Sequence, residues 1–265
     1  MKFVVCVKLT PDTEQLAEVQ PQDVGSDDLG VTMVLNPWDE FAVEEALQLQ
    51  ERFDGAGVAV TLGGVNATEA LKRAVAMGIA EAIRLSDPAF AGSDAWGTAH
   101  ALAQAIKQIG DATLILTGKQ SVDGASGLVA PGLAVRLGAP FVSQVAKVLD
   151  VTAERVTVLR ALDAGTQTVR VKTPAVLSVS KEINEPRYPN YTGIRKAARM
   201  QYPATKAAQI PGLNLKQVGA GAALTAWTDL RKPPARAGKC EFILGATVAE
   251  QAHTLAEKLA AEKVI

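Results

Sequence analysis

Cysteine, histidine and aromatic side chains are all scarce in this 265-residue sequence, which has two cysteines, two histidines and 5% aromatic residues. Cys6 sits inside an apolar run and Cys240 near the far end, so a reducing compartment is expected and a disulfide framework is not. His100 and His253 fall in segments that read as helices, without a cysteine or carboxylate at metal-ligand spacing, which argues against a metal site. Among its alanines, His100 reads as a packing or surface residue rather than a base. Charge is balanced, 27 basic against 28 acidic side chains, so there is no field for a nucleic acid or a membrane surface to recognise. No apolar run reaches the roughly 20 residues of a membrane span. Phe3 to Val7 is too short for a signal-peptide core and lacks a cleavage site. A cytoplasmic protein that is not membrane-embedded is the expectation. Missing too are a GxSxG nucleophile elbow and, in the loop discussed below, GxxxxGKS/T and GxGxxG. Paired acids such as Glu44-Glu45 read as solvated faces. No self-contained catalytic constellation remains, so a protein without turnover of its own is expected.

What is present is a core and a rhythm. Hydrophobic residues make up 48% of the chain. Lys2 to Val7 reads as a strand, followed by a polar, acidic excursion or small hairpin from Thr10 to Gly30. Asn36 is placed to cap a helix, Pro37 suits its first position, Asp39 and Glu40 its first turn, and the apolar side runs on to Arg52. Val58 to Leu62 is a strand closed by Gly63-Gly64, and Asn66 with Glu69 has capping-box spacing for a helix ended by Gly78. Ala82 to Leu85 is a third strand, and Ser93 opens a helix to about Ile109. Thr113 to Thr117 is a buried-strand pattern, and Leu128, Val129, Leu133, Ala134 and Leu137 recur at helical spacing until Gly138 and Pro140. Four βα units in succession predict an α/β fold: a doubly wound, mostly parallel, Rossmann-like sheet. Phe141 to Val151, Arg155 to Leu162 and Thr166 to Val171 add a small antiparallel part, and Ala175 to Val179 returns to the main sheet. Residues 201–246 read as an extended arm, and Thr247 with Glu250 caps a last helix with a stripe of Val248, Ala252, Leu255 and Leu259. That stripe packs either on its own domain or on another subunit.

A cleft follows from this order. Cys6, Val7 and Lys8 close the first strand, Leu62-Gly63 the second, Asn36 to Asp39 start a helix, and Ser121 to Gly127 supply a small-residue loop before the next helix. Apolar strand ends suit adenine, and helix starts suit phosphate. A plain βα turn built of small residues is the other reading of that loop.

The residues of this cleft have a familiar cast. Cys6-Val7-Lys8, the run from Leu35 to Ala46, Ala74 to Gly78 and Gly118 to Asp123 resemble the beta subunit of electron-transfer flavoprotein. Asn184-Glu185-Pro186-Arg187-Tyr188 and Gly193-Ile194-Arg195-Lys196-Ala197 look like that family's signature segment, and the resemblance runs in order from about residue 1 to 205. It implies a heterodimer with an alpha subunit that holds most of one FAD. It implies an electron carrier between flavin-dependent dehydrogenases and a quinone-linked or other oxidoreductase. A structural AMP in this chain is implied as well, replaced by a second FAD in electron-bifurcating relatives. By resemblance, Cys6, Lys8, Asn36, Pro37, Trp38, Asp39 and Leu62 surround the nucleotide, together with Gly118, Gln120, Ser121, Asp123, Gly124, Ala125, Ser126, Gly127, Leu128 and Val129. Many members carry acidic, amide and hydroxyl side chains along this loop. Here Gly124 to Val129 reads GASGLV, which leaves backbone amides and the Ser126 hydroxyl as phosphate donors.

On this reading residues 1–200 form the nucleotide-binding domain, with 181–200 as its partner-recognition segment, and 201–265 form the arm and helix that pack on the partner. Where relatives commonly place a leucine that anchors a dehydrogenase, this chain has Tyr191, with Arg187, Tyr188, Arg195 and Lys196 around it. A solvated basic loop is the plainer reading of these residues, and Tyr191 folded back on its own sheet another. A stand-alone stress-protein-like nucleotide-binding module would share the sheet but lack the Lys181–Lys206 segment and the arm. An adenylating enzyme would need a glycine-rich pyrophosphate motif or a histidine pair, and neither is found.

Overall fold

The apolar run at the amino terminus becomes the central strand β1 (Lys2–Cys6) of the computed structural model, which describes residues 1–26, 28–234, 238 and 240–265. Successive side chains of a strand point to opposite faces, and here both faces are covered. Phe3, Val5 and Val7 join one core with α1 (Pro37–Phe53) and α2 (Thr68–Met77). Val4 and Cys6 join a second core with α3 (Ala95–Ile109) and α4 (Val129–Leu137). Burying a Leu, Val or Phe side chain contributes about 1.5–3 kcal/mol, which is why the central strands read as continuous apolar runs rather than alternating ones.

β1 pairs in parallel with β4 (Ala56–Leu62) on one side and β6 (Ala112–Gly118) on the other. β5 (Glu81–Leu85) lies beyond β4, and β10 (Ala175–Val179) beyond β6, both parallel. β7 (Phe141–Val151) is parallel to β10 and carries β8 (Arg155–Leu162) and β9 (Gly165–Lys172) as an antiparallel extension. With β11 (Ala204–Thr205) beside β5, nine strands of the described residues form one sheet. The excursion after β1 is a hairpin, closed by β2 (Leu9–Pro11) and β3 (Met33–Leu35). The expected doubly wound α/β architecture is therefore present, antiparallel addition included.

Two helix starts differ from expectation. Val65–Ala67 forms a short 3-10 turn and α2 begins at Thr68, so Asn66 stands before the helix instead of capping it. At α3 the cap is Asp94, whose Oδ1 accepts the Trp96 and Gly97 N–H groups at 3.0 and 2.9 Å. Ser93 is thereby released, and its Oγ accepts the Gly219 N–H at 2.7 Å.

The chain divides into two compact units, Met1–Leu230 and Arg231–Ile265. In the first, α5 (Tyr191–Arg199) lies on α2, and a side chain at Gly193 would run into the Ala76 carbonyl. The extended stretch from residue 201 is pinned to this unit well past β11. Ala207, Ile210 and Val218 are buried in the second core, and the Asn214 N–H donates to His100 Nε2 at 3.2 Å. His100 is thus a buried packing residue, and burial, the Arg136 guanidinium and Lys107 all hold its pKa below the usual value. In the second unit α6 (Val248–Ala261) has the expected reciprocal Thr247–Glu250 cap, and Val248 and Leu255 on its apolar stripe are exposed. Part of the arm, residues 235–237 and 239, lies outside the described residues.

Candidate functional site

The strand order reverses between β1 and β6: the chain leaves β1 for β4 on one side and later enters β6 on the other. In open α/β sheets ligands occupy the crevice beyond the carboxyl ends of the strands at such a point. Cys6, Lys8 and Gly118 stand at those ends, Leu62 at the end of β4, Asn36 to Asp39 at the start of α1, and Gln120 to Leu128 in the loop entering α4.

Asp39 ties the two strand ends together. Its Oδ2 accepts the Lys8 N–H at 2.9 Å and its Oδ1 the Gly118 N–H at 3.1 Å. Burial pushes its carboxyl up to about 7, against the opposing pull of Asn36, of these two N–H groups and of the Lys8 charge. The same burial, and Asp39 next to it, push the Cys6 thiol up to about 12, so Cys6 is an inert apolar wall. A Cβ at Gly118 would come 2.5 Å from Asp39 Oδ1 and 2.6 Å from the Trp38 backbone, which is why a glycine closes β6. Asn36 occupies the cap position of α1 but does not cap it. Its Nδ2 donates to the Gln120 carbonyl at 2.9 Å and its Oδ1 accepts the Val122 N–H at 3.2 Å, stitching the loop to the helix start. Asn36 and Asp39 therefore shape the crevice, with their polar atoms committed to its walls.

What stays open is the loop. Asp123, Gly124, Ala125 and Ser126 are exposed, with Ala125 at φ +49° and Gly127 at φ +61°. The Ala125 N–H donates to the Ser121 carbonyl at 2.9 Å, and the Leu128 N–H to Ser126 Oγ at 3.4 Å. Val129 begins α4 and packs on the second core, whereas Leu128 is exposed. Lys8 Nζ reaches across to both Asp123 oxygens, at 2.6 and 2.8 Å. Burial raises the Asp123 carboxyl, yet the Lys8 charge and hydrogen bonds from Lys8, Ser121 and Gly124 outweigh it and leave it below its ordinary value. Trp38 lies under the Lys119 ammonium, 5.7 Å from its ring centre, and beside Phe41. The crevice thus joins Lys8, Asn36, Asp39, Gly118, Gln120 and Asp123 directly. Leu62 belongs to the second core with Cys6, at the edge of the group. Sequence reasoning missed Ser178, whose Oγ donates to the Gly118 carbonyl at 3.4 Å from β10; a lone serine in a strand carries no signal for that.

A second surface lies along residues 181–200. Arg187 donates to Glu44 Oε2 and Oε1 at 2.8 and 3.0 Å and to Glu51 Oε1 at 2.6 Å, and Asn184 Nδ2 reaches Glu45 Oε2 at 3.2 Å. Glu44 and Glu45 are consequently buried, each 3% exposed, and are not the solvated face expected of them. Arg187 is spent on its own chain, whereas Tyr188 and Tyr191 are 90% and 74% exposed and Tyr191 does not fold back on its sheet. The Arg195 guanidinium sits 5.6 Å from the Tyr191 ring centre, and Lys196 is exposed beside it. A hollow of about 570 Å³ opens next to them, lined by Arg73, Ala76, Tyr188, Ile194 and Ala197 among others. Among the described residues no cluster suits a metal ion and no helix is long and apolar enough to cross a membrane.

Comparison with known proteins fits this layout. A family model described as electron transfer flavoprotein domain matches residues 26–210. Over the full length of both chains the sequence is 35% identical to a protein of Acetobacterium woodii named caffeyl-CoA reductase-Etf complex subunit CarD. It is 34% identical to protein FixA of Bradyrhizobium diazoefficiens, over 95% of this chain and 89% of FixA. It is also 38% identical to the electron transfer flavoprotein subunit beta of Thermoanaerobacterium thermosaccharolyticum, over 74% of this chain and 75% of that one.

Proposed function

The chain belongs to the electron transfer flavoprotein family as a beta-type subunit, and from that premise we propose that it works as one half of a heterodimeric electron carrier. With an alpha-type subunit it accepts electrons from flavin-dependent dehydrogenases and delivers them to a quinone-linked or other oxidoreductase. The observation that carries the reading is the crevice at the strand reversal, walled by Asp39 and Asn36 and mouthed by an exposed loop that leads into α4. Its donor set fits a nucleoside monophosphate. Lys8, Ser126 and the loop N–H groups suit the phosphate, and the apolar Cys6 and Leu62 side suits the base. AMP is the nucleotide assigned here, in a structural role. The FAD, held mainly by the alpha subunit, supplies electron storage when bound. This chain's part is to help enclose it, with residues 231–265, the unit beyond the stretch pinned to this chain's own sheet, as the arm laid on the partner.

Purification with and without an alpha-type partner tests this. The chain alone should be colourless and release adenine nucleotide on denaturation, and should share a stoichiometric flavin only in the pair. Tight, stoichiometric FAD on the isolated chain would replace this reading with the electron-bifurcating one. Gly127→Asp should abolish the released nucleotide by setting a negative charge beside the phosphate. Gly127→Asn, which tolerates the same left-handed backbone, should retain it; equal loss in both would assign the effect to backbone strain.

Tyr191 is assigned as the anchor for the dehydrogenase, with Tyr188, Arg195 and Lys196 at its rim. Large exposed aromatics dominate the energy of such interfaces. Rim cations act mainly on encounter rate and fade as salt rises. Tyr191→Ala should slow electron acceptance at least about tenfold, the cost of a central anchor, and leave the melting temperature near wild type. A large stability loss with unchanged kinetics would make the residue structural instead.

A further inference from the structure

We propose that Asp123 is a built-in competitor for the phosphate of the incoming ligand: it occupies Lys8, the cation at the mouth of the crevice, until a phosphate displaces it. The inference rests on the nucleotide reading above.

Three observations carry it. First, the loop from Gly118 to Val129 contains one acid, Asp123, and it takes both oxygens to Lys8 Nζ. Second, the chain segments on both sides of the pair have anchors of their own. On the loop side the Ala125 N–H donates to the Ser121 carbonyl at 2.9 Å and the Val122 N–H to Asn36 Oδ1 at 3.2 Å. The Lys8 backbone is held by Asp39. The loop is thus stitched down by Asn36 without this pair, which is poorly explained as the loop's staple. Third, the ammonium end is accessible, since the Lys8 side chain is 51% exposed and the Asp123 side chain 29%. An exposed ion pair contributes little stability, so breaking it for a dianionic acceptor is easy, and phosphate accepts from ammonium at least as well as carboxylate does.

The pair also makes the site selective. With Lys8 neutralised, a ligand carrying one phosphate restores the balance that Asp123 gave up. Asp123 remains beside the loop as a negative charge, and it disfavours ligands that crowd further phosphates into the same mouth.

The experiment titrates the full-length, nucleotide-stripped chain with AMP by calorimetry, and repeats the titration with inorganic phosphate. Asp123→Asn should bind AMP roughly tenfold more tightly than wild type, the effect of one partly screened charge at a few ångströms. Lys8→Gln should bind more weakly, and in the double variant the gain from Asp123→Asn should vanish. ADP should gain more than AMP from Asp123→Asn. If Asp123→Asn weakens AMP binding, leaves it unchanged, or still improves it without Lys8, the competitor role is wrong while AMP binding by wild type keeps the nucleotide reading. If the tenfold gain appears with phosphate but AMP binds no better than phosphate, the competitor role holds and the adenine assignment fails. No binding of either probe by any variant overturns both.

Discussion

Replacing Arg187 with alanine is expected to lower the melting temperature by roughly 6–12 °C, the counterpart of about 3 kcal/mol in a unit of this size. The size of the effect comes from what is left behind. Glu44 is 3% exposed, and without the guanidinium its carboxylate keeps only Gln48 Nε2, at 3.0 Å, and the backbone N–H of residue 187, at 3.1 Å. A buried carboxylate that loses its cation bears most of its desolvation cost unpaired. Glu51, on the same guanidinium, is mostly exposed and contributes little. Arg187→Lys should fall between, since a single ammonium cannot span Glu44 and Glu51 as the planar fork does. Glu44→Gln in the Arg187→Ala background should recover part of the loss, because it removes the stranded charge. Hydrogen bonds from Arg187 hold the Glu51 carboxyl below its ordinary value of 4.5. The stability from that contact is present above pH 4.5 and fades as pH falls through and below it, so this small part of the variant's deficit should disappear in acid. An alanine variant that melts with wild type would mean residues 184–187 are held by packing alone.

Asp39→Asn is expected to cost about 1–3 kcal/mol at neutral pH, because its amide nitrogen must face one of two backbone N–H donors that both carboxylate oxygens now serve. The pH dependence separates charge from geometry. The folded-state carboxyl lies near 7 against an ordinary 3.8. Between those values the folded chain holds a proton that the unfolded chain has lost, so wild-type stability falls as pH rises across that window. The variant cannot titrate and lacks this downward slope. Its deficit relative to wild type should therefore be greatest near pH 4 and smaller near pH 7.5, read from denaturant unfolding at the two values. Parallel curves would show that Asp39 stays ionised throughout the range.

The backbone of the fold was legible because its signals are local. Phe141 to Val151, Arg155 to Leu162 and Ala175 to Val179 emerge with the boundaries their patterns suggest, and Thr247 and Glu250 cap α6 as their spacing predicts. Long-range pairing was not legible. Glu44-Glu45 resembles any solvated helix face until Asn184 and Arg187 arrive from about 140 positions away. Asn36 looks like a cap, and it stands at the cap position, yet its side chain is drawn off by Gln120 and Val122 across a turn that only the assembled sheet brings near. Ser93, read as the start of its helix, stands one residue ahead of the cap Asp94 for a related reason, since its hydroxyl answers the Gly219 N–H. In the crevice, residue types suggested which segments meet. Which side chains face the ligand and which brace the wall depends on hydrogen bonds no local pattern encodes.

The seating of α5 on α2 has a consequence for how a binding preference can evolve. Gly193 meets the Ala76 carbonyl with no room for a side chain between them, so the helix is mounted main chain to main chain and has one height and one heading. Mutation on its outer side cannot re-aim it. On the proposed reading of this face, residue 188 beside the helix and residues 191, 194 and 195 on it are exchangeable fittings on a fixed rail, so single substitutions should change what is displayed without refolding the mount. Transplanting those four side chains from a related chain should carry a partner preference across intact, whereas an insertion within the first turn of α5, which shifts the rail, should forfeit it.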